Sequence, residues 1–435
     1  MEKFTSYSQA IDYLTAGLPV FQHSGQAAYH PGLETSRMID DAFGNPHKDY
    51  PVIHIAGTNG KGSTAHTIAA VLQCAGYKVG LYTSPHLLDF RERIRVDGNM
   101  IPQEAVTDFV NRYRELQLPC SPSFFEVTTI MAFEYFARQK VDIAVVEVGL
   151  GGRFDTTNVV RPVLSVITNI SLDHTAILGN TLAAVAREKA GIIKNGVPVV
   201  VGEADGEVRE VFDRVARDMS SPLTYASQSG VLERCKRLDS GDWLYESHDF
   251  GTFAGALGGD CQPHNTATVL AAIGILRDKG IDIDSRAVAK GFSSVCDITG
   301  FYGRWSVVSR NPVVIADTGH NPGGWLHISA QLKRYDCRRH LVLGFVGDKD
   351  VDAILGMLSG MEFTDFYLTA PSVHRALPVG RLLEKARDHG IDATGYSTVE
   401  EAYRNAFARA DKGDMIFVGG SGFVVADFMA VAKTI

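Results

Sequence analysis

Short apolar runs that alternate with amphipathic runs predict an α/β protein: a large parallel-sheet domain of P-loop type over residues 1–300, followed by a smaller Rossmann-like α/β domain over 301–435. Three observations carry this reading. Strand-like and helix-like segments take turns from Pro51 onward. A Gly-rich stretch, HIAGTNGKGST, stands where the first apolar run meets the first helical one. The polar, Gly-containing stretch CDITGFYG, around Asp297–Gly303, reads as a linker after which a second strand–helix series begins.

Taken in order, PVIHIAG has the apolar, β-branched character of a buried strand, and Ser63 to Ala75 has a helical pattern. KVGLYTS is a second strand, EAVTDFVNRYREL and FFEVTTIMAFEYFARQ are helices, and DIAVVEVG is a third strand. VLSVITNI, a helix from Thr181 to about Ile193, VPVVVG and the helix EVREVFDRVARDM extend the series. From Leu223 to Phe253 the helical period is lost. Short alternating runs such as DWLYESHDF predict a small β insertion or edge meander there. Helices over Asn265–Lys279 and Ser285–Phe292 close the first part. The second series reads PVVIADTG, a helix from Pro322 to Arg334, HLVLGFVGDKD, a helix after Val351, FTDFYLTAP, helices after Pro378 and Val399, DMIFVGGSGF and a last helix. No internal repeat or low-complexity segment interrupts it.

At roughly 150 residues per domain, a chain of 435 residues has length for two to three domains and a large core. Its 45% hydrophobic and 21% charged residues exclude a disordered chain. The formal charge of -8 gives no footprint for a polyanion, so no nucleic-acid partner is expected. Cys74, Cys120, Cys235, Cys261, Cys296 and Cys337 form no CxxC pair, which argues against a zinc cage or a redox dithiol and for reduced thiols. The N-terminus has no basic stretch followed by an apolar one, and no run approaches the ~18 to 20 apolar residues of a membrane span. A cytoplasmic protein without a membrane partner is expected.

The strongest chemical signal is the junction at Gly57–Thr64. Gly57, Gly60 and Gly62 let the backbone turn and aim N–H groups at phosphate oxygens, and the helix N-terminus adds its dipole. Lys61 has the reach for β/γ-phosphates, and Ser63 or Thr64 for Mg²⁺. The stretch departs from the usual P-loop pattern, with Ile55 where the first Gly would stand and Gly62 inserted before the hydroxyl residues. In VDIAVVEVGLGGRFDTTN, Glu147 ends an apolar strand, at the edge where α/β sheets bind ligands. In ITNISLDHTAILGN, Asp173 and His174 lie just past another strand end. With Ser84 of YTSPH, Glu147 and His174 offer oxygen and nitrogen donors on one rim, which suits a hard cation held with ATP phosphates.

AGTNGKGST, YTSPHL, FFEVTTIMAF, EVGLGGRFDTTN, the NI-x-x-DH run that ends in EKAGIIK, His264-Asn265, Gly303-Arg304 and DTGHNP together resemble the folylpolyglutamate synthase and dihydrofolate synthase family of the Mur ligase superfamily, from about Pro31 to the C-terminus. The chain departs from the family pattern at Tyr302, where Pro is common, and in DTGHNP, where the family has D-x-AHNP. The resemblance implies an ATP-dependent amide ligase that adds L-glutamate to dihydropteroate, to reduced folates or to both through an acyl phosphate. It leaves open which reactions occur and how long a polyglutamate tail grows. Two other readings stand beside it: a cell-wall amino-acid ligase acting on a nucleotide-sugar acid, and a nucleotide-binding protein without turnover.

Carried over residue by residue, the resemblance implies that Thr58, Asn59, Gly60 and Lys61 contact the ATP phosphates, with Gly62, Ser63 and Thr64 completing the loop. Asn265 and Arg304 would be further ATP contacts, and Asp317 a ribose contact with His320 close by. Ser84, Glu147 and His174 would bind Mg²⁺. Lys189 would be carbamylated and serve a second Mg²⁺ and the acyl phosphate, so Lys61, His174 and Lys189 are the catalytic candidates. A monovalent cation such as K⁺ is left open as well. Ser123, Phe124, Phe125 and Glu126 with Phe154, Asp155 and Thr156 would hold the pterin end of the substrate. The family habit implies a monomer whose partners are small molecules.

Overall fold

Five consecutive residues of the first apolar run, Val52–Ala56, are buried and form β1 in the middle of an eight-stranded sheet. The computed structural model describes residues 2–20, 32–238 and 240–432. Its contacts group the chain into two units, Met1–Ala256 with Pro263–Phe301, and Leu257–Gln262 with Tyr302–Ile435. Where the sequence placed one division near 300, the short stretch Leu257–Gln262 groups with the second unit. The Asp260 N–H donates to Gln331 Oε1 at 2.9 Å, Gln331 Nε2 donates to the Gly258 carbonyl at 3.1 Å, and Arg334 pairs with Asp260.

In the first unit β2 is Val79–Tyr82, β3 Ile94–Val96, β4 Asn99–Met100, β5 Ile143–Glu147, β6 Leu164–Ile167, β7 Val199–Val201 and β8 Leu223–Tyr225. Their order is β4-β3-β2-β5-β1-β6-β7-β8, parallel from β2 to β8, with β3 and β4 antiparallel at one edge. Helices cover both faces, as a parallel sheet requires. Ile53 and Ile55 pack with Ile68 and Leu72 of the helix Lys61–Cys74. Val52, Ala144 and Val146 pack on the other face with Ile130 and Phe133 of the helix Phe124–Gln139. That second helix starts where the sequence dictates: Ser123 caps it, and Glu126 returns the bond to the Ser123 N–H.

The predicted β insertion is split. Leu223–Tyr225 extends the main sheet as its edge, while β9 (Arg234–Arg237), β10 (Trp243–Ser247) and β11 (Gly251–Gly255) form a separate antiparallel meander. The predicted linker is corrected in its first half. Val295–Thr299 is a short helix, ended by Gly300 in the left-handed region at φ 64°. Thr299 Oγ1 lies 2.8 Å from His66 Nδ1 on the P-loop helix, and Phe301 stacks on the His66 ring with centroids 4.2 Å apart. Five residues rich in β-branched side chains carry no readable helical period, and this tertiary packing overrides their propensity.

In the second unit β12 is Ser306–Arg310, β13 Val313–Asp317, β14 Arg339–Leu343, β15 Thr364–Leu368, β16 Ala393–Gly395 and β17 Met415–Gly419. The order is β12-β13-β17-β14-β15-β16, parallel except for the antiparallel edge strand β12. Trp325, Phe345 and Phe417 sit at the centre of its core. No helix among the described residues is long and apolar enough to cross a membrane.

Candidate functional site

The turn after β1 is built from both sides. Gly57 has φ 143°, in a region other residues rarely enter, and a Cβ there would lie 1.9 Å from Thr168 Oγ1 just past β6. Thr168 Oγ1 donates to the Asn59 carbonyl at 2.5 Å, and Asn169 Nδ2 does so at 3.1 Å. The Asn59 N–H returns to Asn169 Oδ1 at 3.1 Å, and Thr58 Oγ1 donates to the Ser171 carbonyl. The loop is thus set before any ligand arrives. Asn265 stands against it, since a Cβ on Gly60 would meet Asn265 Oδ1 at 2.3 Å. Gly57→Ala should cost about 2 kcal/mol or more in stability, through the forbidden φ and the clash together. Urea unfolding of the two proteins measures it.

Two of the catalytic candidates meet at this turn. Lys61 Nζ lies 3.1 Å from the carbonyl oxygens of Gly57 and Thr58, and Lys189 Nζ donates to the same Gly57 carbonyl at 2.7 Å. Lys189 is 4% exposed. Burial first, and the Lys61 charge second, push its pKa down to about 7. Gly152, packed against the Glu188 carbonyl and Lys189 Cα, lets the helix Leu182–Ala190 come this close.

Glu147, at the end of β5, is buried, and its Oε2 accepts the Ser84 N–H at 3.0 Å. A Cβ on Gly62 would lie 3.5 Å from the Phe301 ring and 3.9 Å from Glu147 Oε1, so the glycine that breaks the P-loop pattern stands directly beside this carboxylate. Thr64 Oγ1 is buried with no hydrogen-bond partner among the described residues. His174, held at φ 50°, places Nε2 3.8 Å from Asp173 Oδ2. Among the described residues no three His, Cys, Asp or Glu side chains form a ready-made metal cage. A carboxylate and hydroxyls beside a phosphate-type loop nevertheless fit a hard cation that takes its remaining ligands from a nucleotide.

The predicted pterin segments take two forms. Phe124 is core: its ring packs edge-on to Phe90, and the buried Arg93 guanidinium lies 5.2 Å over it. Phe124, expected among the residues that hold the pterin end, is therefore covered by its own neighbours. Phe125 is half-buried, 5.9 Å from the Tyr82 ring. Glu126 is committed as a brace, accepting from the Ser123 N–H and Oγ on one oxygen and from Ser36 Oγ on the other at 3.1 Å. Asp155 is buried and takes the N–H groups of Leu150 and Thr157 and the Thr157 hydroxyl, while desolvation raises its pKa. Phe154 carries the Arg153 guanidinium 4.8 Å from its ring centre, and Thr156 Oγ1 lies 3.4 Å from Ser36 Oγ. Ser36, His54, Arg93, Thr157, Thr168 and Asn169 were not foreseen. Thr168 and Asn169 carried a signal, as polar residues near the end of the predicted run VLSVITNI, where the observed strand has already stopped at Ile167.

Arg304, Asp317 and His320 form a separate group within the second unit. Asp317 Oδ2 accepts the Trp305 N–H at 2.8 Å and Oδ1 the Gly319 N–H at 2.7 Å, and its burial raises the carboxyl's pKa against the pull of Arg304. Thr318 donates to the Gly303 carbonyl, and His320 Nδ1 lies 3.1 Å from the Thr318 carbonyl. DTGHNP and YGR therefore build one loop pair around Asp317.

Residues 55–274 match the Mur ligase middle domain, and residues 303–422 the Mur ligase glutamate ligase domain. The dihydrofolate synthase/folylpolyglutamate synthase of Escherichia coli is 32% identical over 97% of this chain and 96% of its own. A protein of Halobacterium salinarum named probable bifunctional folylpolyglutamate synthase/dihydropteroate synthase is 35% identical over 91% of this chain. The chain spans about half the length of that relative. Among solved structures, E. coli FolC in complex with DHPP and ADP is similar with a TM-score of 0.85 at 31% identity, covering 100% of this chain and 99% of that one. A bifunctional folylpolyglutamate synthase/dihydrofolate synthase with Mn, AMPPNP and L-glutamate bound gives 0.82 at 31% identity, covering 99% and 98%. With two Mur ligase domains in order and relatives matched along nearly their whole length, the chain belongs to the folylpolyglutamate synthase/dihydrofolate synthase family of the Mur ligase superfamily.

Proposed function

We propose that the chain is an ATP-dependent carbon–nitrogen ligase that joins L-glutamate to the carboxylate of dihydropteroate, of reduced folates or of both. The observation that carries the reading is the convergence of Lys61 and Lys189 on the Gly57 carbonyl, in a P-loop turn whose Gly62 stands beside Glu147.

A carboxylate is a poor electrophile until one of its oxygens becomes a leaving group, and phosphorylation by ATP makes it one. The glutamate amine then attacks the acyl phosphate, and the tetrahedral adduct collapses to amide and phosphate. Lys61 and the N–H groups at the start of the helix Lys61–Cys74 hold the transferred phosphoryl and offset its charge. Glu147, Ser84, His174 and Thr64 would hold Mg²⁺, which when bound neutralises charge on the phosphates. Lys189 is the carbamylation site: its lowered pKa leaves a sizeable share of neutral amine at pH 7. That amine bonds to the carbon of CO₂ and sheds one proton, and an anion replaces the second cation at the turn. Ser123–Glu126 and Phe154–Thr156, braced by Ser36, form the segments around the pterin acid and keep water from the acyl phosphate.

Incorporation of radiolabelled glutamate separates this reading from its rivals. Label should enter amide with dihydropteroate or tetrahydrofolate only when ATP and Mg²⁺ are present. ATP hydrolysis at the same rate without any acid, or transfer to a UDP-linked acid instead, overturns it.

A further inference from the structure

β1 carries one polar residue, His54, in an otherwise apolar run. Strand alternation sets its side chain opposite Ile53 and Ile55, which belong to the core on the other face. The ring is fully buried, and Nε2 lies 2.8 Å from Thr157 Oγ1. Thr157 Oγ1 in turn donates to Asp155 Oδ1 at 2.5 Å. A hydroxyl has one proton to give, so the Thr157 oxygen must accept from His54, and the imidazole is the Nε2–H tautomer. Nδ1, the remaining acceptor, is buried with no hydrogen-bond partner among the described residues. Burial and the nearby Lys194 charge lower the ring's pKa to about 3, which keeps it neutral.

The neighbouring threonine makes a parallel chain in the other direction. Ser36 Oγ donates to Glu126 Oε1 at 3.1 Å and lies 3.4 Å from Thr156 Oγ1. The turn Thr156–Val159 is thereby tied to β1 through Thr157 and to the helix Glu34–Ala42 through Thr156. His54 also stands three residues before Gly57 on the strand that presents the P-loop.

We propose that His54 is a positioning residue for the pterin acid: through Thr157 and Asp155 it fixes the segment Gly149–Thr157, so that one rigid strand sets both the nucleotide loop and the loop that receives the acid. This inference rests on the proposed function. It predicts that loss of the chain weakens the acid's binding and spares the nucleotide's.

The test compares His54→Leu, His54→Gln and Thr157→Val with the wild type. It uses titration of dihydropteroate by intrinsic fluorescence without ATP, and KM for dihydropteroate and ATP. His54→Leu and Thr157→Val should each raise Kd and KM for dihydropteroate about ten-fold, the loss of a hydrogen bond that ends on a charged group. KM for ATP should stay within about two-fold of the wild type, since the P-loop bonds do not pass through this chain. His54→Gln, whose amide N–H reaches the same hydroxyl, should recover most of the binding. Thr157→Val, which keeps the Thr157 N–H bond to Asp155, holds the test open if a leucine at 54 fails to fold. Unchanged dihydropteroate binding in His54→Leu and Thr157→Val, or equal rises in both KM values, overturns the positioning role. A wild type that neither binds dihydropteroate nor makes labelled amide overturns the proposed function along with it. A wild type that does both, with variants that match it, overturns this inference alone.

Discussion

Lys189→Ala should lower glutamate incorporation by about a hundred-fold or more, the scale seen when one charge-stabilising group is removed from a transition state. The bare lysine is out of place as a cation: it shares the Gly57 carbonyl with Lys61 and has lost its hydration. Carbamylation, as proposed, would remove the repulsion between the two cations by changing the sign of one charge, and small carboxylic acids at high concentration should restore part of the activity lost in Lys189→Ala. The same group predicts a pH dependence for protein freed of CO₂. Its pKa of about 7 when folded lies below the ordinary lysine value of 10.5. Between those two values the unfolded chain holds a proton that the folded chain has released, so stability rises with pH from about 7 to 10.5. Denaturant midpoints across that window should show the slope in the wild type and a shallower one in Lys189→Ala, where Lys194, lowered by burial to about 8, keeps part of it. A plain ammonium in protein kept with bicarbonate and Mg²⁺, together with normal turnover of Lys189→Ala, would refute the assignment.

Glu147→Gln is expected to cut turnover by a similar factor of about a hundred and to raise the Mg²⁺ concentration needed for half activity about ten- to a hundred-fold. An amide oxygen can still accept the Ser84 N–H, so the local fold should survive and the melting temperature should move little. Thermal melts and Mg²⁺ titrations on the same preparation distinguish the outcomes. A fall in melting temperature with unaltered Mg²⁺ dependence would mean that Glu147 serves only to brace the Ser84 turn.

What could be read from the chain alone follows the range of the interactions involved. β1, β5 and β6 and the helix Phe124–Gln139 were legible because burial on both faces leaves continuous apolar runs, and because Ser123 and Glu126 spell a capping box. The hairpin β3–β4 was overlooked although Asp97-Gly98 is a turn pair, both residues having positive φ. β12 was overlooked because it is an edge strand whose Val307 and Val308 face solvent, which breaks the alternation a buried strand shows. In the site, the P-loop residues and Glu147 stand at the ends of predicted strands, and their chemistry is local. Ser36 and His54 act through partners 90 or more positions away, and Arg93 lies over the ring of Phe124, far along the chain, so nothing in their immediate neighbours marks them. The brace at Glu126 shows the converse: the motif was found, but its carboxylate is spent on Ser123 and Ser36.

The stretch Leu257–Gln262 makes the chain pass between its two units three times, at 256/257, 262/263 and 301/302. A fragment that begins at Tyr302 would leave behind Gly258 and Asp260, the partners of Gln331, an amide only 2% exposed. Stripped of them, a buried donor and acceptor face nothing, at a cost of about 1 to 3 kcal/mol each. The second unit is thus completed by a stitch of six residues that the chain lays down before it finishes the first, and a single proteolytic nick after Phe301 leaves that stretch on one fragment and its hydrogen-bond partner Gln331 on the other.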